Sequence, residues 1–128
     1  MNHLAGGFLA VGAGAALGAW IRWGLGMWLN ARTPSLPLGT LAANLVGGYL
    51  VGIAIAWISH RPEVPPEWRL FIVTGFLGGL TTFSTFSAES VGMLMRGDYG
   101  WALFHTTWHL VGAIVMTALG IVTYRAIA

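Results

Sequence analysis

Gly75-Phe76-Leu77-Gly78-Gly79-Leu80-Thr81-Thr82-Phe83-Ser84-Thr85-Phe86-Ser87 lies in the middle of an apolar segment that runs from about Trp68 to Met95. The segment is long enough to cross a bilayer, yet its centre carries glycines and then hydroxyl residues where lipid-facing helices carry Leu and Ile. Gly75, Gly78 and Gly79 weaken an α-helix. Backbone N–H and C=O groups freed at membrane depth persist only where other protein or a water-filled cavity satisfies them. The stretch therefore predicts a transmembrane helix broken at its centre, lining a small polar passage. Phe83 and Phe86 bring aromatic edges to that passage, and Ser84, Thr85 and Ser87 bring hydroxyl donors. Both suit a small anion, because a ring edge carries the positive part of the aromatic quadrupole and a hydroxyl donates a hydrogen bond.

Working outward, the whole chain has the same character. Of 128 residues, 56% are hydrophobic and only 8% charged, against about a quarter charged in soluble globular proteins. This is the composition of an integral membrane protein. All six positive residues are arginines (Arg22, Arg32, Arg61, Arg69, Arg96 and Arg125). The high pI reflects scarce acids, not a basic patch, and gives nucleic-acid binding no support. With no cysteine, disulfides and thiolate metal sites are excluded. Nothing at the N-terminus reads as a cleavable signal peptide, since no positive region precedes the first apolar run.

Four spans are expected, at about 4–29, 38–58, 68–95 and 100–124, in one all-α domain covering 1–128. The first is thin and rich in Gly and Ala, and Arg22 lies near its far end between Trp20 and Trp23. That arginine reads either as a snorkelling residue in an aromatic belt or as a functional charge. In the second span Thr40, Asn44, Gly47, Gly48 and Val51 recur at helical spacing and make one small, polar stripe. Asn44 reads as interhelical glue or as a ligand-binding amide. In the third, Glu89 lies one turn beyond Thr85 and Phe86, as a proton relay, a counter-ion to Arg22, or a carboxylate reaching water. In the fourth, His105 and His109 share a face. Two histidines so spaced can chelate a metal, but no Cys or spare carboxylate on that span completes a site. Neutral histidines donating hydrogen bonds into a polar passage or to neighbouring helices are the expectation.

An even number of spans puts both termini and the polar loop 59–67 on one side of the membrane. Arginine then divides as Arg61, Arg69 and Arg125 against Arg32 and Arg96, almost no bias, so the chain is expected to insert both ways up. Two opposed copies would form an antiparallel homodimer. The pairs Gly14 and Gly18, Gly48 and Gly52, and Gly75 and Gly79 are candidate close contacts for it. Two copies of the glycine-rich break would meet near the bilayer centre, where converging carbonyls suit a monovalent cation such as sodium.

The run GGLTTFSTFS, with Asn44 upstream and Arg22 in the first span, resembles the signature of the CrcB/Fluc fluoride channels of bacteria, over essentially the whole chain. That resemblance implies a multi-pass protein of the bacterial inner membrane, an antiparallel dual-topology dimer with two narrow fluoride pathways, and passive export of cytoplasmic fluoride. By similarity Phe83 and Phe86 supply ring edges, Asn44 the amide donor, and Ser84, Thr85 and Ser87 a hydroxyl track. Thr40, His105 and His109 line the same pathway and Arg22 stands near its entrance. Gly78 and Thr81 would give backbone carbonyls to a central structural sodium ion. The fourth span departs from the family, which often carries Tyr and Ser where this chain has His105 and His109.

Two other readings remain. A small multidrug exporter also has four spans and dual topology but needs a carboxylate in its first span, which this chain lacks. A fluoride/proton antiporter would use Glu89 and the histidines as proton carriers. No enzyme is indicated: no nucleophile with a base in reach is identifiable, and nothing resembles a nucleotide-binding loop.

Overall fold

The structure, a computed structural model, describes residues 2–128 and is helical, with no strand among those residues. Helix α1 spans Asn2–Leu29 and ends in a tight 3₁₀ turn, Asn30–Arg32. The side-chain oxygen of Asn30 accepts from the Gly39 N–H at 2.7 Å and so ties this turn to the start of α2, Leu38–Ser59. Pro65 and Pro66 then launch α3, Pro66–Arg69. Proline suits a first helical position because its missing N–H is one that a helix start leaves unpaired.

Helix α3 runs straight into a wide π-helical stretch, Leu70–Leu77, and a last α-helical turn α4, Gly78–Leu80. Thr81 (φ −94°, ψ 156°) and Thr82 (φ −151°, ψ 122°) are extended, and the backbone turns helical again as α5, Phe83–Met95. Gly97 (φ +79°) closes α5: its N–H reaches Leu94 O at 3.0 Å and that of Asp98 reaches Met93 O at 2.8 Å. Such a cap requires a left-handed residue, which glycine adopts without a Cβ clash. Helix α6, Tyr99–Ile127, completes the chain.

Four stretches are long and apolar enough to span a membrane: His3–Arg32, Leu38–Ser59, Pro66–Met95 and Tyr99–Ile127. Each covers an expected span and runs a few residues beyond it. Large apolar side chains such as Leu4, Phe8, Trp20, Trp23, Leu103 and Ile114 point outward, the arrangement of a protein whose solvent is lipid.

Pairing of these helices depends on glycine. A Cβ on Gly14 would strike the backbone of Phe71 and Phe76, and one on Gly18 that of Phe76 and Leu80. From the other side, a Cβ on Gly75 would stand 2.8 Å from Val11 O. Helix α1 thus lies flush against the first half of the third span. Gly52 and Gly120 do the same for α2 and α6, where added Cβ atoms would meet Thr117 O and Tyr49 O. The three small-residue pairs proposed for the dimer are therefore spent inside one chain. The reason is physical: apolar burial gives little drive between helices in lipid, so close backbone contact holds each protomer together. Behind these contacts Ala43, Ala54, Leu77 and Leu80 form the buried core.

Candidate functional site

The extended pair Thr81 and Thr82 interrupts the helix, and four side chains bond to the backbone around it. A primary amide carries an acceptor and a donor side by side, matching one residue of peptide backbone. Asn44 of α2 uses both on Thr82: Oδ1 accepts the Thr82 N–H at 2.7 Å, and Nδ2 donates to the Thr82 carbonyl at 2.9 Å. Thr82 in turn caps α5, its Oγ1 accepting from the Thr85 N–H at 3.1 Å, the expected service of a threonine before a helix start. On the other side of the interruption, the Thr81 N–H and Oγ1 both donate to the Leu77 carbonyl. Arg22 Nε donates to the Gly79 carbonyl at 3.0 Å. Arg22 does not pair with Glu89.

Beyond Asn44 the polar groups continue as a connected cluster. His109 Nδ1 lies 2.9 Å from Asn44 Nδ2. Because Asn44's orientation is fixed by Thr82, Nδ2 is the donor and His109 Nδ1 the acceptor, which leaves the neutral ring's proton on Nε2. His109 stacks on Phe86 with ring centroids 4.6 Å apart and 28° between planes. His105 sits 4.4 Å from His109 by the same measure. Its Nε2 is 3.3 Å from Glu89 Oε1, while Glu89 Oε2 accepts a hydrogen bond from Thr40 Oγ1 at 2.6 Å. His105 has no exposed surface, and His109, Thr40 and Phe86 are buried as well. A groove of about 420 Å³ reaches the cluster, lined in part by Asn44, Thr81, Thr82, Phe83, Phe86 and His109.

Of the residues singled out in the sequence, the fold gathers Thr40, Asn44, Phe86, His105 and His109 into one place. Phe83 flanks them edge-on to Phe86 at 5.4 Å but is largely exposed. Thr85 stays beside Thr82, and its hydroxyl accepts from Thr82 Oγ1 at 3.1 Å. Ser84 and Ser87 lie on the exposed face of α5, away from the histidines. Gly78 and Thr81 lie along the groove, on the far side of the interruption from Glu89.

Three residues were not foreseen as such. Thr82 stood within the quoted run, but its part as Asn44's partner needed knowledge of which helix faces it. Ser90 and Thr106, whose hydroxyls meet at 3.2 Å between α5 and α6, carried no signal beyond being polar residues in apolar spans.

Four apolar spans enclosing a hydrogen-bonded polar centre, with an open groove leading to it, define a small multi-pass membrane protein. The family model described as "CrcB-like protein, Camphor Resistance (CrcB)" matches residues 9–121, and the chain belongs to that family. Among curated relatives, a protein of Cupriavidus pinatubonensis named "Fluoride-specific ion channel FluC" is 61% identical over 122 residues, covering 95% of this chain and 97% of the relative. A relative of the same name from Cupriavidus metallidurans has the same identity and coverage. Another from Nitrosospira multiformis is 62% identical over 119 residues, covering 93% of each chain.

Proposed function

We propose that this protein is a fluoride-selective passive channel that carries cytoplasmic fluoride out across the bacterial inner membrane. The observation that carries the reading is the high identity, over nearly the full length, to relatives named as fluoride-specific channels. The buried cluster supplies a matching chemistry. Fluoride holds its water tightly, so a dry passage has to return strong donors at close range while leaving sites weak enough to release the ion. The donors left free are the His109 Nε2–H and the Thr85 hydroxyl, while the Asn44 amide and the Thr40 hydroxyl, already bonded to Thr82, His109 and Glu89, would exchange those bonds for fluoride. In this scheme the rings of Phe83 and Phe86 line the passage, while Arg22, expected near its entrance, donates to the Gly79 carbonyl beside the interruption. Ser84 and Ser87, on the outward face of α5, act in this scheme only where a second protomer covers them.

A second protomer is part of the proposal. The arginine distribution favours insertion both ways up, and the groove beside Gly78, Thr81 and Phe83 is open on one side of a single chain. An antiparallel homodimer would close it and bring two helix interruptions together near the bilayer centre. The carbonyls of Gly78 and Thr81, neutral hard oxygen donors, suit a structural sodium ion there. In support, Gly78 is exposed, and a Cβ on it would have Val73 O as its nearest neighbour at 3.7 Å. Packing within the chain gives no reason for glycine at that position. The protein acts by conduction and not as an enzyme.

The test is fluoride efflux from liposomes holding the purified protein, with chloride measured alongside. Rapid fluoride efflux that needs valinomycin, with chloride retained, is the expected result. A second reading, fluoride/proton antiport, draws on the closeness of three titratable groups, Glu89, His105 and His109, with Thr40 bonded to the carboxylate. Efflux driven by an imposed proton gradient without valinomycin would favour it and overturn the channel. The multidrug reading has no first-span carboxylate to use.

A further inference from the structure

Glu89, His105 and His109 come from two helices and from positions the sequence does not connect, yet each presents a ligand atom within 4.8 Å of the others. Five buried side-chain atoms lack a hydrogen-bond partner among the described residues. Four of them belong to these three side chains: Glu89 Oε1, His105 Nδ1, His105 Nε2 and His109 Nε2. Buried polar atoms are nearly always paired, and four without a protein partner at a single point are free to bind one common ligand.

We propose that Glu89, His105 and His109 form a binding site for a first-row divalent transition metal, with Zn²⁺ its best-suited ion. Two imidazoles and one carboxylate are a common zinc donor set, and three protein ligands leave a fourth position open. The spacing agrees. Two donors about 2.1 Å from one zinc at a tetrahedral angle stand about 3.4 Å apart, and His105 Nε2 lies 3.3 Å from Glu89 Oε1. That pair is close enough to hydrogen-bond but is not aligned for it, as expected of two groups facing a common third point. Thr40 holds the other carboxylate oxygen at 2.6 Å and so orients Glu89 in the way second-shell partners orient metal ligands. The carboxylate on α5 completes the histidine pair on α6 that the fourth span alone could not.

One ligand carries a cost. Asn44 keeps the His109 proton on Nε2, so coordination through that nitrogen moves the proton to Nδ1 and breaks the 2.9 Å contact with Asn44. If the fluoride reading holds, bound metal would also plug the pathway, a consequence that rests on that reading while the site does not.

Equilibrium dialysis of the purified full-length protein against Zn²⁺ in detergent, with a Co²⁺ visible spectrum as geometric probe, tests the site without transport. About one Zn²⁺ per chain and the intense absorption of four-coordinate Co²⁺ are expected. Both should be lost in the nearly isosteric Glu89→Gln and in His105→Ala, and Thr40→Val should weaken binding by about 10–100-fold. No retained zinc, or zinc retained equally by Glu89→Gln and His105→Ala, overturns the site. In liposomes, Zn²⁺ but not Mg²⁺ should slow fluoride efflux in the parent and not in Glu89→Gln variants that still conduct. Efflux absent in every sample would sink the channel reading and leave the binding result standing.

Discussion

Asn44 holds the centre of this molecule by a coincidence of geometry: one amide meets both backbone groups of Thr82 and still faces His109. Asn44→Leu keeps most of the volume and removes every one of these contacts. The Thr82 N–H and C=O then lose their partner at membrane depth, at about 1–3 kcal/mol for each group left unpaired. The variant should melt well below the parent in detergent and should lose fluoride efflux, and a variant as stable as the parent would show that water replaces the amide without loss. Sequence reading offered interhelical glue and ligand binding for Asn44 as alternatives. The fold shows the first directly, and the functional proposal adds the second to the same atoms. The histidine pair was legible from its spacing of four. Glu89 as its neighbour was not, because spacing along one helix says nothing of what a second helix brings alongside.

At the scale of elements, the four spans could be read from hydropathy and the interruption near Thr81 from glycines followed by hydroxyls. Partner choice could not. A small-residue pair looks the same in sequence whether the helix it admits belongs to its own chain or to another, and Gly14, Gly18, Gly75 and Gly79 turn out to serve contacts within one protomer. The π-helical register of Leu70–Leu77 was equally hidden, since an apolar run carries no mark of its hydrogen-bond period. Wide turns of this kind often sit next to functional sites, and this one ends a single α-helical turn, Gly78–Leu80, before the interruption. The tightness of the α1 contact makes a sharp comparison possible. Gly18→Ala would force its methyl into the backbone of Phe76 and Leu80, whereas Gly12 has nothing within 4 Å. Gly18→Ala should cost about 1–3 kcal/mol, the usual range for overpacking, while Gly12→Ala should be neutral or slightly stabilising through better helix propensity. Thermal melts of the two variants in one detergent decide it, and equal melting temperatures would mean that α1 shifts freely on its neighbour.

On the scale of the whole molecule, one quantity, the placement of arginine, bears on assembly more than any contact within the chain. The side holding the termini carries Arg61, Arg69 and Arg125, and the other holds Arg32 and Arg96. A difference of one charge is too small to set orientation, which is governed by Lys and Arg in short loops. Under the proposal of an antiparallel pair, function depends on both orientations being made. Two lysines inserted in the loop 59–67 should drive that loop and both termini to the cytoplasm. Two in the turn 96–98 should drive them outward. Each biased chain, expressed alone, should fold but yield no fluoride efflux, because no opposed partner exists. Co-expression of the two should restore it, whereas the parent should label from both sides in a C-terminal accessibility assay. Full efflux from either biased chain alone would mean that parallel pairs or single chains conduct, and the groove beside Gly78 and Thr81 would then need some other cover than an inverted copy.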